Sequence, residues 1–270
     1  MAQGSAAGRE DCLESIWARL RLLAALGLLL ALTPTVAREH AHEAADLPVP
    51  RRIDYDWMTV DEWHDHHVRL LAARDQAVAS GSEAVRLVWL GDSITEWWPR
   101  VGEDSWREHW LPRASINLGL GGDSTQHLLW RLRHGALDGL QPQVVVLAVG
   151  TNNLHLSGHD EVTVVGGIEA VVAELRQQWP DIAIVVSAIL PRGRRASDPM
   201  RGRIQVINAA LEQRLAGREN ITFIDAGPLM LEDDGGIDRS IMRDYLHLTD
   251  AGYRRWAEAL LPAIDAALAR

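Results

Sequence analysis

A chain of 270 residues, 47% hydrophobic and 24% charged, is long enough to bury a sizeable core and has neither a disordered nor a fibrous composition. Its formal net charge of −10 removes any general attraction to nucleic acid or to an anionic membrane surface. All 27 basic residues are Arg, which excludes Schiff-base and P-loop lysine chemistry, and the single cysteine, Cys12, lies in a leader, leaving no disulfide, thiolate zinc site or cysteine nucleophile beyond it.

Residues 1–37 read as a secretory signal peptide. Arg19 and Arg21 precede the apolar run Leu22–Leu32, and Thr33-Pro34-Thr35-Val36-Ala37 ends in small residues suited to cleavage near Ala37. The stretch ahead of the run is long for this purpose and carries Glu10, Asp11 and Glu14. The run itself is too short to span a bilayer comfortably, so no stable membrane span is expected after processing. Residues 38–56 are polar and contain proline, the composition of a loose lead-in, and 57–270 is expected to be one domain.

From Trp57 the helical spacing of Trp57, Val60, Trp63, His67, Leu70 and Leu71 predicts an amphipathic helix to about Ala79, ended by Ser80-Gly81-Ser82. Five short apolar runs follow: Val85–Leu90, Ala114–Leu118, Val144–Val149, Ile182–Leu190 and Ile221–Ile224. Helical periodicity separates them near Thr125–His134, Val162–Trp179 and Arg203–Leu215, and a last helix is expected over Asp250–Leu268 with Thr249 as its N-cap. Strands alternating with helices imply an α/β fold whose five-stranded parallel sheet is covered on both faces.

In such sheets functional groups gather at the carboxyl ends of the strands. The residues there are Gly91-Asp92-Ser93, Gly119-Leu120-Gly121-Gly122-Asp123 and Gly150-Thr151-Asn152-Asn153. A serine hydroxyl becomes a nucleophile when a neighbouring base takes its proton, and Ser93 stands where a turn would present its Oγ; the blander role is a helix cap. Asp244-Tyr245-Leu246-His247 supplies an imidazole three residues after a carboxylate, so Asp244 can bind Nδ1 and leave Nε2 for Ser93. An exposed histidine beside a capping Asp is the alternative. The Ser93 N–H, the Gly119 N–H and the Asn152 side-chain amide are candidate donors to an oxyanion, each with an ordinary reading as a turn or cap residue. Their common place at one rim, in compatible order, favours the catalytic reading.

These blocks resemble the four motif blocks of the SGNH (GDSL) hydrolases, and most closely the branch that holds the platelet-activating factor acetylhydrolase catalytic subunits. Gly119–Arg133, Gly150–Asn153, Gly166–Ala170, Leu190–Gly193 and Tyr245–Thr249 carry the likeness to that branch, which covers roughly residues 57–268. The resemblance implies a three-layer α/β/α flavodoxin-like fold, no metal and no cofactor. It also implies Ser93 as nucleophile, His247 as base, Asp244 as its partner, and Ser93, Gly119 and Asn152 as the oxyanion hole. Asn153 departs from the many members with Asp there but matches the branch, and the leader departs from that branch's intracellular setting.

The expected activity is removal of a short acyl group, chiefly acetyl, from a small-molecule, lipid or carbohydrate ester outside the cytoplasm, with Ile94 and Leu246 walling the acyl pocket. The rival is a non-catalytic carbohydrate- or lipid-binding protein on the same scaffold; intact Ser93, Asp244 and His247 argue against it. A nucleotide-binding oxidoreductase is disfavoured because Gly119-Leu120-Gly121-Gly122 lacks the G-x-G-x-x-G spacing and no ribose-binding acid ends the third strand. His64, His66 and His67 read as solvated helix surface rather than a metal site. His155 and His159 are weaker bases than His247 by position, Trp97, Trp98, Trp106 and Trp110 divide between a substrate wall and core, and Arg192 is expected to order the rim through loop carbonyls. A homodimer is compatible with the sequence without being specified by it.

Overall fold

The computed structural model describes residues 44–81 and 84–270; the expected leader lies outside them. Five parallel strands form one sheet in the order β2-β1-β3-β4-β5, with β1 at Leu87–Gly91, β2 at Ser115–Asn117, β3 at Val144–Ala148, β4 at Ala183–Ser187 and β5 at Ile221–Ile224. The β-branched runs become strands because consecutive side chains leave opposite faces and both faces are buried. Val88, Leu90, Val145, Leu147, Ile184 and Val186 point into one apolar cluster, and Leu87, Trp89, Val144, Val146, Ala183 and Val185 into another. Each of the Val, Leu and Ile side chains among them, fully buried, contributes roughly 1.5–3 kcal/mol.

Helices cover both faces, giving three α/β/α layers. The first cluster packs under α1 (Val60–Ala79), α3 (Thr125–Arg133), α5 (Glu161–Gln178) and α6 (Pro199–Leu215), with the short α2 (Ser93–Glu96) and α4 (Thr151–His155) following β1 and β3. The second packs under α7 (Asp250–Leu268) and a run of short helical turns over 98–113. Thr59 closes a capping box with Glu62 at the start of α1, and Thr249 caps α7 as its sequence predicts. The α6 helix starts a turn earlier than its periodicity suggests, since Asp198 caps it and Pro199 fits the first position, where no N–H is needed. No helix among the described residues is long and apolar enough to cross a membrane.

Two expectations change. The described part of the expected loose lead-in, 44–56, is pinned to the domain: the Thr125 hydroxyl donates to the Ala45 carbonyl at 2.7 Å and the Val49 N–H to the Gln126 carbonyl at 3.1 Å. Trp98, Trp106 and Trp110 are core, packed with Trp89, Trp256 and Tyr253, so of the four tryptophans considered for a substrate wall only Trp97 reaches the site. An indole buries a large apolar area, and here three of them, with Val101 beside them, fill the space against α7.

Candidate active site

The strand register brings the three loops together. Trp89 pairs with Asn117 and Gly91 with Ala148, so β1, β2 and β3 end at one edge and release their loops side by side. Gly91 must be glycine, because a methyl there would come within 2.3 Å of the Ala148 carbonyl oxygen and 2.2 Å of the Thr95 hydroxyl. Asp92 then caps α2, its Oδ1 accepting the Ile94 N–H at 3.0 Å, and Ser93 opens the helix with its side chain at the rim. Burial pushes the Asp92 carboxyl up to about 7 against the pull of the Ile94 N–H and of nearby Arg192.

Ser93 Oγ lies 3.0 Å from His247 Nε2, and His247 Nδ1 lies 2.7 Å from Asp244 Oδ2. The second half of this chain is locally made. Asp244 folds back so that its Oδ1 accepts the N–H groups of Leu246 at 3.1 Å and His247 at 2.7 Å, an Asx turn. Tyr245 pays for the turn with φ of 64°, a conformation that costs a non-glycine residue about 1 kcal/mol or more. Partial burial works to raise the Asp244 carboxyl, but the hydrogen bonds from the His247 N–H and ring and from Leu246 outweigh it and hold the group below the usual carboxylate range. The ionised carboxylate takes Nδ1–H, so the Nε2 facing Ser93 carries the lone pair.

Asn152, first turn of α4, gives one amide hydrogen to the Asp123 carbonyl at 3.0 Å and keeps its second. Asn153 is structural: it ties Thr125, Gln126 and His159 together from a buried position. Asp123 is held by Trp63 and by a fully buried ion pair with Arg131, both at 2.7 Å, which fixes the turn that follows β2.

The model of the GDSL-like lipase/acylhydrolase family matches residues 89–255. The chain is 37% identical over 198 residues to the platelet-activating factor acetylhydrolase IB subunit alpha1 of Homo sapiens, covering 73% of this chain and 80% of that one. The alpha2 subunit from the same organism is 34% identical over 201 residues, 74% and 82% of the two chains. The chain belongs to the GDSL-like lipase/acylhydrolase family. Among solved structures, a GDSL-like lipase from Bacteroides thetaiotaomicron superposes with a TM-score of 0.61 at 25% identity, over 74% of this chain and 98% of that one. As a member of this acylhydrolase family the protein is a carboxylic ester hydrolase.

Within this GDSL-like site one nominated donor is displaced. The Gly119 N–H is already given to Asn117 Oδ1 at 2.9 Å, and a methyl on Gly119 would strike the Glu96 nitrogen at 2.5 Å, so Gly119 packs against α2 instead of facing the hydroxyl. The glycine beside Ser93 is Gly121, on which a methyl would sit 3.8 Å from Ser93 Cβ. Gly122 follows at φ of 75°, and no hydrogen bond among the described residues uses its N–H. The local sequence G-L-G-G could not distinguish these amides, since each peptide's direction depends on distant partners.

Other nominated residues separate. Ile94 lines a cavity of about 20 Å³ with Asp92, Thr151, Ile189, Leu190 and Trp256, room for about one water, whereas Leu246 is half-buried on the Asp244 loop and does not line it. Arg192 binds the Thr151 hydroxyl at 3.2 Å rather than a carbonyl. His67 is buried between Trp63 and Trp130, not solvated, and burial drives it down to about 4. His159 is buried on Asn153 and His155 is exposed; of the histidines described, His247 is the one bonded to Ser93. Among the described residues no group of three His, Cys, Asp or Glu side chains forms a metal site.

Two contacts had no strong signal in the sequence. Trp97 lies against the His247 ring, centroids 4.2 Å apart, and the Arg243 guanidinium covers Trp97 at 4.6 Å, so the imidazole has a fixed apolar wall. Glu96, one helical turn beyond Ser93, accepts the Gly121 N–H at 2.6 Å.

Proposed function

We propose that the protein hydrolyses short-chain esters, chiefly acetyl esters, through a serine acyl-enzyme in which Ser93 is nucleophile, His247 general base and Asp244 its orienting partner. The observation that carries this reading is the continuous hydrogen-bond line from Ser93 Oγ through the imidazole to Asp244, at 3.0 and 2.7 Å. As Ser93 Oγ bonds to the carbonyl carbon, its proton passes to His247 Nε2 and the carbonyl π pair moves onto oxygen. Collapse of the tetrahedral intermediate breaks the carbon–oxygen bond to the alcohol, which leaves with the proton from Nε2. Water then adds to the acyl-enzyme, again giving its proton to Nε2, and that proton returns to Ser93 as the acid departs. The oxyanion is met by the Ser93 N–H, the second amide hydrogen of Asn152 and the Gly122 N–H, the last in place of Gly119.

The short acyl preference rests on Ile94 beside the nucleophile, on the water-sized cavity beneath it and on relatives named for acetyl hydrolysis. With Trp98, Trp106 and Trp110 in the core and not along a substrate wall, nothing favours one leaving group, so the proposal commits to the acyl side. The test compares p-nitrophenyl acetate and octanoate: kcat/KM is expected to be about tenfold or more higher for acetate, in line with the 1–3 kcal/mol that a mismatch in an apolar pocket is worth. Faster turnover of octanoate refutes the preference.

In this reading the ester is extracytoplasmic, on the strength of the run Leu22–Leu32 and the small residues ending at Ala37. N-terminal sequencing of the exported protein is expected to begin near Arg38; an intact leader on the active protein overturns it.

A further inference from the structure

We propose that Arg51, carried in from the segment ahead of α1, is a positioning residue for oxyanion stabilisation: it holds the Gly121 carbonyl and thereby aims the Gly122 N–H. The inference rests on the serine mechanism above and deepens it.

Arg51 is 2% exposed, and its guanidinium is poorly repaid for the water it loses. Nη2 donates to the Gly121 carbonyl at 2.8 Å, while Nε and Nη1 are buried without a hydrogen-bond partner among the described residues. The faces of Tyr55, Trp57 and Trp63, with centroids 5.5, 5.3 and 6.0 Å from the guanidinium carbon, offset part of that cost. An apolar side chain would satisfy this aromatic cage with no cation to desolvate, so packing alone gives no reason for arginine. Its hydrogen bond to the Gly121 carbonyl gives a reason, beside the attraction of the nearby Asp123 carboxylate, which favours a cation here.

The Gly121 C=O and the Gly122 N–H belong to one planar trans peptide and point in opposite directions, and the described chain has no cis bonds. A guanidinium fixed on the oxygen therefore turns the N–H away from itself. It also draws electron density toward that oxygen, which makes the N–H a stronger donor. Glu96 Oε2 grips the preceding Gly121 N–H at 2.6 Å, so Gly121 is clamped at both ends, from α2 and from the N-terminal segment. Asn152 holds the Asp123 carbonyl on the other side of Gly122. The peptide so clamped lies beside Ser93 and leads to a residue that must be glycine, because a methyl on Gly122 would come within 2.3 Å of Arg51 Nη2 and 2.4 Å of Trp57. Glycine at 122 and arginine at 51 are two halves of one arrangement.

The test uses the full chain and Arg51→Met, which keeps the length and the apolar contact of the stem, with p-nitrophenyl acetate as substrate. The second probe is a trifluoromethyl ketone, whose carbonyl takes Ser93 Oγ while the proton moves to His247, leaving an oxyanion in the site. Loss of an aimed donor is expected to lower kcat by about ten- to a hundredfold with KM within about twofold, and to weaken the ketone in parallel. Arg51→Lys, which restores a charged donor to the carbonyl, is expected to recover part of both losses. Should the Met variant not fold, Arg51→Gln carries the same test, being neutral and too short to reproduce the contact. Unchanged kcat and ketone affinity in a neutral variant, with only a lower melting temperature, overturn the proposal and leave Arg51 as an anchor of the segment. Fluorophosphonate labelling of the wild type separates this from failure of the underlying mechanism: a chain not labelled at Ser93 sinks the mechanism, whereas a labelled chain indifferent to Arg51 sinks only the positioning role.

Discussion

Ser93→Ala is expected to reduce kcat for p-nitrophenyl acetate by about 10⁵-fold or more and to abolish fluorophosphonate labelling, the scale seen when a serine nucleophile is removed from a base that acts with it as a unit. The alanine methyl cannot form the acyl-enzyme, and His247 is left to activate water in a cleft shaped for a side-chain oxygen. The fold should survive. The lost hydrogen bond is a single half-buried contact to His247, a loss of about 1 kcal/mol or less, which moves the melting temperature by a few degrees at most. Circular dichroism and thermal melting measured beside activity distinguish the two effects. Residual turnover within tenfold of the wild type would move the nucleophile elsewhere in the molecule.

Asn152→Ala is expected to lower kcat by about 10²–10³ with KM little changed, the typical loss for one oxyanion donor. The structure sharpens this expectation. One hydrogen of the Asn152 amide is fixed on the Asp123 carbonyl at 3.0 Å, so the second points in a set direction without reorganisation when charge develops. An interaction made only in the transition state reduces kcat and kcat/KM equally, and that equality is the diagnostic result. Asn152→Asp, of the same shape but with no hydrogen to donate, is expected to be at least as damaging. A KM effect with kcat intact would assign Asn152 to ground-state binding and remove it from the oxyanion hole.

Much of the fold was legible because its signals are local. Val144–Leu147 and Ala183–Val186 are buried on both faces of the sheet, and burial on both faces demands the unbroken apolar runs that mark them in the chain. Helix α7 announces itself through Thr249, whose side chain caps it three residues on. Asp244 and His247 are likewise a local pair: an Asx turn needs only four consecutive residues, so their spacing carries their geometry.

Other features depend on what arrives from far along the chain. Nothing in Trp97-Trp98 says that Trp98 is fully buried against Tyr253 and Trp256 while Trp97 lies on His247; α7 decides the first and the turn before it the second. Nor does the order of glycines after β2 say which of their amides are already bonded. Asn117 takes the Gly119 N–H, and Glu96 and Arg51 hold the two ends of Gly121. The amino-acid order by itself thus determined the strands, the last helix, and the rim where Ser93, His247 and Asp244, the proposed nucleophile, base and acid, come together, because periodicity and short turns are written within a few residues. The tertiary structure alone decided which backbone groups after β2 are bonded and which are not, because a peptide's direction is set by whichever distant side chains bind its two ends.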